Sequence, residues 1–123
     1  MALERGKLTN VVAVSAGSTV GIVTVASNKK VYIKSIVASC MGDFGDMAGI
    51  QTGKAHVYFV PNNSGSAGDP ARSNQIFNID LDVKETALLE PSYPLVLSAT
   101  GDSIRVGAMH TTINFLITGD KEA

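Results

Sequence analysis

The chain has 123 residues, enough for one domain with a modest core and too few for two that each close a core without staples. Hydrophobic residues make up 45% and charged residues 17%, with a formal net charge of -1. This excludes a highly charged disordered chain, and the scattered charges leave no basic footprint for nucleic acid.

Residues 1–10 carry charges but no apolar h-region, so no secretion leader is expected. They also lack a hydrophobic period. Ten extended residues reach roughly 33 Å, so this arm is expected either to lie on a neighbouring subunit, with Leu3 and Arg5 as contacts, or to stay a disordered tail. From there the recurring pattern is a short β-branched run followed by a Gly/Asn/Ser/Asp break. The first run is 11–15, ended by Ala16-Gly17-Ser18. The second is 19–26, and the polar break 27–30 after it has the size of a hairpin loop. The third is 31–39. There Tyr32, Lys34 and Ile36 alternate with Val31, Ile33 and Val37, so one face holds Lys34 near water.

Residues 41–53 form a looser stretch with four glycines. Met41, Phe44, Met47 and Ile50 sit three apart, which would suit a helical turn, but the glycines oppose a stable one. The stretch reads as a long loop that orders against a partner, with Phe44, Met47 and Ile50 as apolar contacts. The fourth run, 54–60, ends at Pro61, which cannot donate to a central ladder. A second long loop, 62–73, presents Asp69, Pro70 and Arg72 at its tip. The fifth run is 75–81 and the sixth is 86–89. Pro91 and Pro94 flank Tyr93 and forbid a helix there. The seventh run is 95–98. The last two segments read as a hairpin: Ile104, Val106 and Ala108 alternate with polar neighbours, a turn follows near 109–111, and Ile113, Phe115 and Ile117 return. Phe59, Phe77 and Phe115 read as core. The expectation is an all-β fold, an antiparallel sandwich or jelly roll of about eight strands over residues 11–119, with an arm at 1–10 and a polar, frayed end at 120–123.

No usual catalytic set is visible, so an enzyme is not expected. There is no Gly-x-Ser-x-Gly elbow, P-loop or dinucleotide fingerprint. His56 and His110 are the only histidines, and each reads as a surface or turn residue. Cys40, the only cysteine, excludes an internal disulfide, suits a reducing cytoplasm and reads as a small buried hydrophobe. With the two histidines it has no zinc-site spacing. Asp43, Asp46 and Asp69 lie in the two long loops, where a calcium ion is the alternative to turn-forming aspartates, and no cofactor or metal is expected. No apolar run reaches the roughly 18 to 20 residues that span a bilayer, so no membrane partner is expected either. Asn62-Asn63-Ser64 matches the glycosylation sequon by letters alone.

Three segments together carry a resemblance. They are Lys30-Val31-Tyr32-Ile33-Lys34-Ser35-Ile36-Val37; Val57-Tyr58-Phe59-Val60-Pro61-Asn62; and Glu85-Thr86-Ala87-Leu88-Leu89 leading to Leu95-Val96-Leu97 and Gly101-Asp102-Ser103-Ile104. Over residues 28–118 the chain resembles the small all-β virion structural proteins of tailed bacteriophages. The resemblance implies a non-enzymatic virion part assembled in the host cytoplasm. Its leading form is a capsid decoration or cement protein, a homotrimer that binds the major capsid protein and stabilises the shell. The alternative is a tail, neck or fibre subunit with a receptor- or carbohydrate-binding role, for which Tyr32, Tyr58 and Tyr93 are the exposed-aromatic candidates.

Overall fold

The computed structural model describes residues 3–26, 29–40, 52–64 and 68–122. Ten strands are found among them: β1 (Leu3–Lys7), β2 (Val12–Val14), β3 (Thr19–Thr24), β4 (Val31–Cys40), β5 (Thr52–Val60), β6 (Gln75–Asp82), β7 (Thr86–Leu89), β8 (Leu95–Leu97), β9 (Ser103–Met109) and β10 (Ile113–Glu122). All pairings are antiparallel, in two sheets.

In the first sheet β10 and β4 lie side by side in the centre. β1 and β2 run end to end along the outer side of β10. β7 and β8 run end to end along the outer side of β4. This sheet therefore has four lanes, and the second has four in the order β3-β9-β5-β6. The early lanes pair with the late ones in reverse: β1/β2 with β10, β3 with β9, β4 with β7/β8, and β5 with β6. That nested pairing in two sheets is a jelly roll of eight lanes.

Several expectations change. The segments read as a final hairpin belong to different sheets, because β9 pairs β3 and β5 while β10 pairs β1, β2 and β4. The turn between them, with His110 at φ 72°, carries the chain across the sandwich. The break at 27–30 likewise joins β3 of one sheet to β4 of the other. Short loops fit hairpins and sandwich crossings equally well, so loop length did not distinguish them. The arm and the polar end are not free. Leu3 to Lys7 pair with Glu122 to Thr118, and Arg5 Nε lies 3.7 Å from Asp120. Their polar composition suits an edge lane with a solvated face.

The core lies between the sheets. Ile33, Ile36, Leu97, Ile104, Ile113, Phe115 and Ile117 are fully enclosed, with Val57 and Val106 beside them. Phe59 and Phe77 pack against this cluster from partly buried positions. Cys40 is free and buried within it, as its sequence position suggests. On β4 the inward set is Val31, Ile33, Ile36, Ala38 and Cys40. The parity changes after Ile33, so Ile36 is buried and does not share the Lys34 face. The cause is a register shift opposite Thr118 and Gly119 of β10, a bulge that inserts one residue and flips the alternation. The loop expected at 41–53 is shorter at its end, since Thr52 and Gly53 begin β5.

Candidate functional site

Along β5, Lys54, His56 and Tyr58 point away from the core while Ala55 and Val57 point into it. Their cross-strand partners form three rows over the outer face of the second sheet. The middle row is Thr19, Gly107, His56 and Asn78. One flanking row joins Met109, Lys54 and Asp80, the other Arg105, Tyr58 and Gln75. Gly107 contributes no side chain to the middle row, and a Cβ there would stand 3.1 Å from Thr19 Oγ1, 3.4 Å from the Ser18 carbonyl oxygen and 3.8 Å from His56 Cβ. The 3-10 turn Arg72–Asn74, just before β6, brings Arg72 to its rim. The result is a cavity of about 370 Å³ lined by His56, Tyr58, Arg72, Gln75, Asn78 and Gly107 among others.

His56 is only 8% exposed, so it is not the surface residue its sequence position suggests. Its Nδ1 lies 3.0 Å from Gln75 Nε2. With that amide donating, the ring hydrogen sits on Nε2, which is buried and has no partner. Burial, then the Lys54 ammonium, push the imidazole below its ordinary range, against the opposing pull of Asp80. The ring is therefore neutral at neutral pH. Its neighbour Tyr58 stands with ring centroids 6.3 Å away at a 34° tilt. Lys54 is held by Asp80 at 3.1 Å. Among the described residues Arg72 has no carboxylate partner. The site thus offers a cation, neutral N–H donors, two amides and an aromatic face. Among the described residues no hydroxyl hydrogen-bonds the imidazole.

The outer face of the first sheet differs. Leu116 of β10, Val37 of β4 and Leu88 of β7 stand in one cross-strand row, with Leu88 58% exposed. Val96 of β8 lies opposite Tyr32 and is also exposed, as are Val11 and Tyr93. At the far end of this face Asp120 is buried beneath Lys34, whose Nζ lies 2.9 Å away, and Arg5.

The residues singled out in the sequence are not brought together. Of the second loop only Arg72 reaches the cavity; Asp69 offers its carbonyl to Asn74 and Pro70 precedes the 3-10 turn. Leu3 and Arg5 belong to β1, in the other sheet. Phe44, Met47 and Ile50, with Asp43 and Asp46, lie outside the described residues. Their flanks, Cys40 and Thr52, lie at the opposite end of the sandwich from the loop holding Asp69, because β5 runs from one end to the other. Tyr58 lines the cavity, whereas Tyr32 is on the first sheet and Tyr93 between β7 and β8. Among the described residues no three His, Cys, Asp or Glu side chains cluster as a metal site, and no helix is long and apolar enough to cross a membrane. Sequence reasoning missed His56, Gln75, Asn78 and Thr19. The period-two spacing of Lys54, His56 and Tyr58 was the available signal, but it names a face and not the strands beside it.

No family model matches the chain, and no curated protein is similar to it.

Proposed function

We propose that the chain is a non-enzymatic structural subunit of a bacteriophage virion, most simply a capsid decoration or cement protein that oligomerises and stabilises the shell. The carrying observation is the apolar row Leu116, Val37 and Leu88 on the outer face of the first sheet, with exposed Val96 further along the same sheet. A small monomer gains nothing from leaving such a row in water, and exposed apolar side chains on a sheet face fit contact with another protein. Jelly rolls also form viral capsid, lectin and cupin domains, so the architecture is compatible with this role and does not select it. The strand and turn segments that resemble phage virion proteins point the same way, with a trimer as the expected assembly.

Replacing Leu88 with Glu places a charge at the exposed end of that row, on the edge strand β7. Light scattering should then report a smaller species than the parent chain, and cosedimentation with capsids lacking the protein should fall at least tenfold. Because Leu88 is largely exposed, folding stability should change by no more than about 0.5 kcal/mol. A parent chain that stays monomeric and never sediments with capsids would sink the reading. The tail, neck or fibre alternative is favoured only by the cavity on the second sheet, which has the features of a small-ligand site.

A further inference from the structure

We propose that the cavity on the outer face of the second sheet binds a carboxylate-bearing sugar unit, with Arg72 meeting the carboxylate and Gln75 and Asn78 meeting hydroxyls. The inference does not rest on the assembly role, since the apolar row lies on the other sheet. His56 carries it furthest. It is more than nine-tenths buried, lines the cavity, and keeps a buried Nε2 without a partner. Buried polar groups almost always have a partner; of the four described side-chain atoms buried without one, the others belonging to Ser103, Arg105 and Thr111, only His56 Nε2 is on a residue lining this cavity. With the Gln75 amide donating to the other ring nitrogen, Nε2 carries the hydrogen and donates. The missing partner is therefore an acceptor, such as a hydroxyl or carboxylate oxygen, and not a cation.

The surroundings narrow the class. Cross-strand neighbours stand about 5 Å apart, and Gly107 lies directly opposite His56 without a side chain. About 370 Å³ falls in the range of small-molecule sites. Arg72 presents a guanidinium suited to a planar carboxylate and, among the described residues, is the only cationic side chain lining the cavity. A highly charged phosphate ester would be left under-neutralised. Asn78 and Gln75 give paired donors and acceptors of the kind vicinal hydroxyls need, and Tyr58 adds an aromatic face for the C–H side of a sugar ring. A wholly apolar ligand would strand these polar groups.

The experiment titrates the isolated full chain with glucuronic acid, glucose, acetate and inorganic phosphate, read by NMR at backbone amides and histidine rings. Glucuronic acid should give saturable shifts at His56, Gln75 and Asn78, with glucose at least tenfold weaker. Arg72→Met should reduce glucuronic acid binding at least tenfold, to the level of glucose. Asn78→Ala should weaken both sugars. Arg72 and Asn78 are exposed, so both variants should melt with the parent chain. A uronate-terminated oligosaccharide that binds more tightly than the free acid assigns the site to a glycan end; equal binding assigns it to the free sugar acid, and either supports the proposal. Absence of saturable shifts with every probe overturns it. So does acetate or phosphate binding as tightly as glucuronic acid, or an Arg72→Met variant with unchanged affinity. Failure here leaves the Leu88 result untouched, and the converse also holds.

Discussion

Asp102 shows how one side chain closes an end of the sandwich. Its Oδ1 accepts from the backbone N–H and the side-chain amide of Asn62 at 2.9 and 3.0 Å, and its Oδ2 accepts from Ala99 N–H at 3.1 Å. Its backbone carbonyl accepts from Val25 N–H at 2.9 Å. Three connections that are remote in the chain, after β3, after β5 and before β9, thus meet at one residue. Burial alone would raise this carboxyl, but the hydrogen bonds from Asn62, Ala99 and Ser98 outweigh it and hold it below the ordinary range. A carboxyl depressed in the fold stabilises fully above its unfolded value, near 4, and loses that stabilisation as pH falls through the folded value. Asp102→Ala should therefore cost about 2 to 3 kcal/mol at neutral pH, the scale of charge-assisted bonds left unmade. It should also flatten the acid limb of a denaturant-midpoint series below about pH 4. An unchanged acid limb would assign the acid sensitivity elsewhere. In the sequence, Gly101-Asp102 reads as a turn; that its carboxylate reaches Asn62 depends on long-range pairing no local pattern encodes.

At the scale of elements the runs were legible and their partners were not. Each β-branched run matches a strand within a few residues, because alternation and punctuation are local signals. The pairing of β9 and β10 is not local, and alternation on both sides of a short turn describes a crossing as well as a hairpin. The parity of β4 was misread past Lys34 for a related reason: the bulge that flips it lies against Gly119 of β10, a partner far along the chain. The polar strand β1 carries no apolar period to announce it. Gly119 is where this coupling can be tested. A Cβ there would overlap the Tyr32 carbonyl and crowd the Lys34 amide, both backbone atoms of the neighbouring strand that cannot swing aside. Gly119→Ala should force β4 and β10 apart at the bulge and cost about 3 kcal/mol or more, the scale of a steric clash in a packed interior. Chemical denaturation measures it directly. A variant as stable as the parent would mean the bulge relaxes freely, and the parity change on β4 would need another cause.

The whole molecule inherits its kinetics from the nested pairing. β1 and β2 find their partner in β10, β3 in β9, and β4 in β7 and β8. Even β5 and β6, adjacent in sequence, are joined by the stretch 61–74 and not by a tight turn. Forming almost any ladder therefore closes a long loop before the contacts that offset it exist. The fully buried centre, Phe115 with Ile33, Ile36 and Ile104, draws on strands from both ends of the chain, so no contiguous half of the sequence encloses a core alone. Chains dominated by such non-local contacts fold in milliseconds to seconds, far slower than helical bundles of similar size. Refolding from denaturant should accordingly fall in that range. Tyrosine fluorescence and far-UV circular dichroism are the suitable probes, since the chain has no tryptophan. Asp102→Ala adds a second reading. If its end of the sandwich closes late, the variant should unfold faster while refolding near the parent rate. Completion of refolding within microseconds would contradict the nested topology as the rate-determining feature. A slowed refolding limb in Asp102→Ala would place the junction of those three connections inside the folding nucleus.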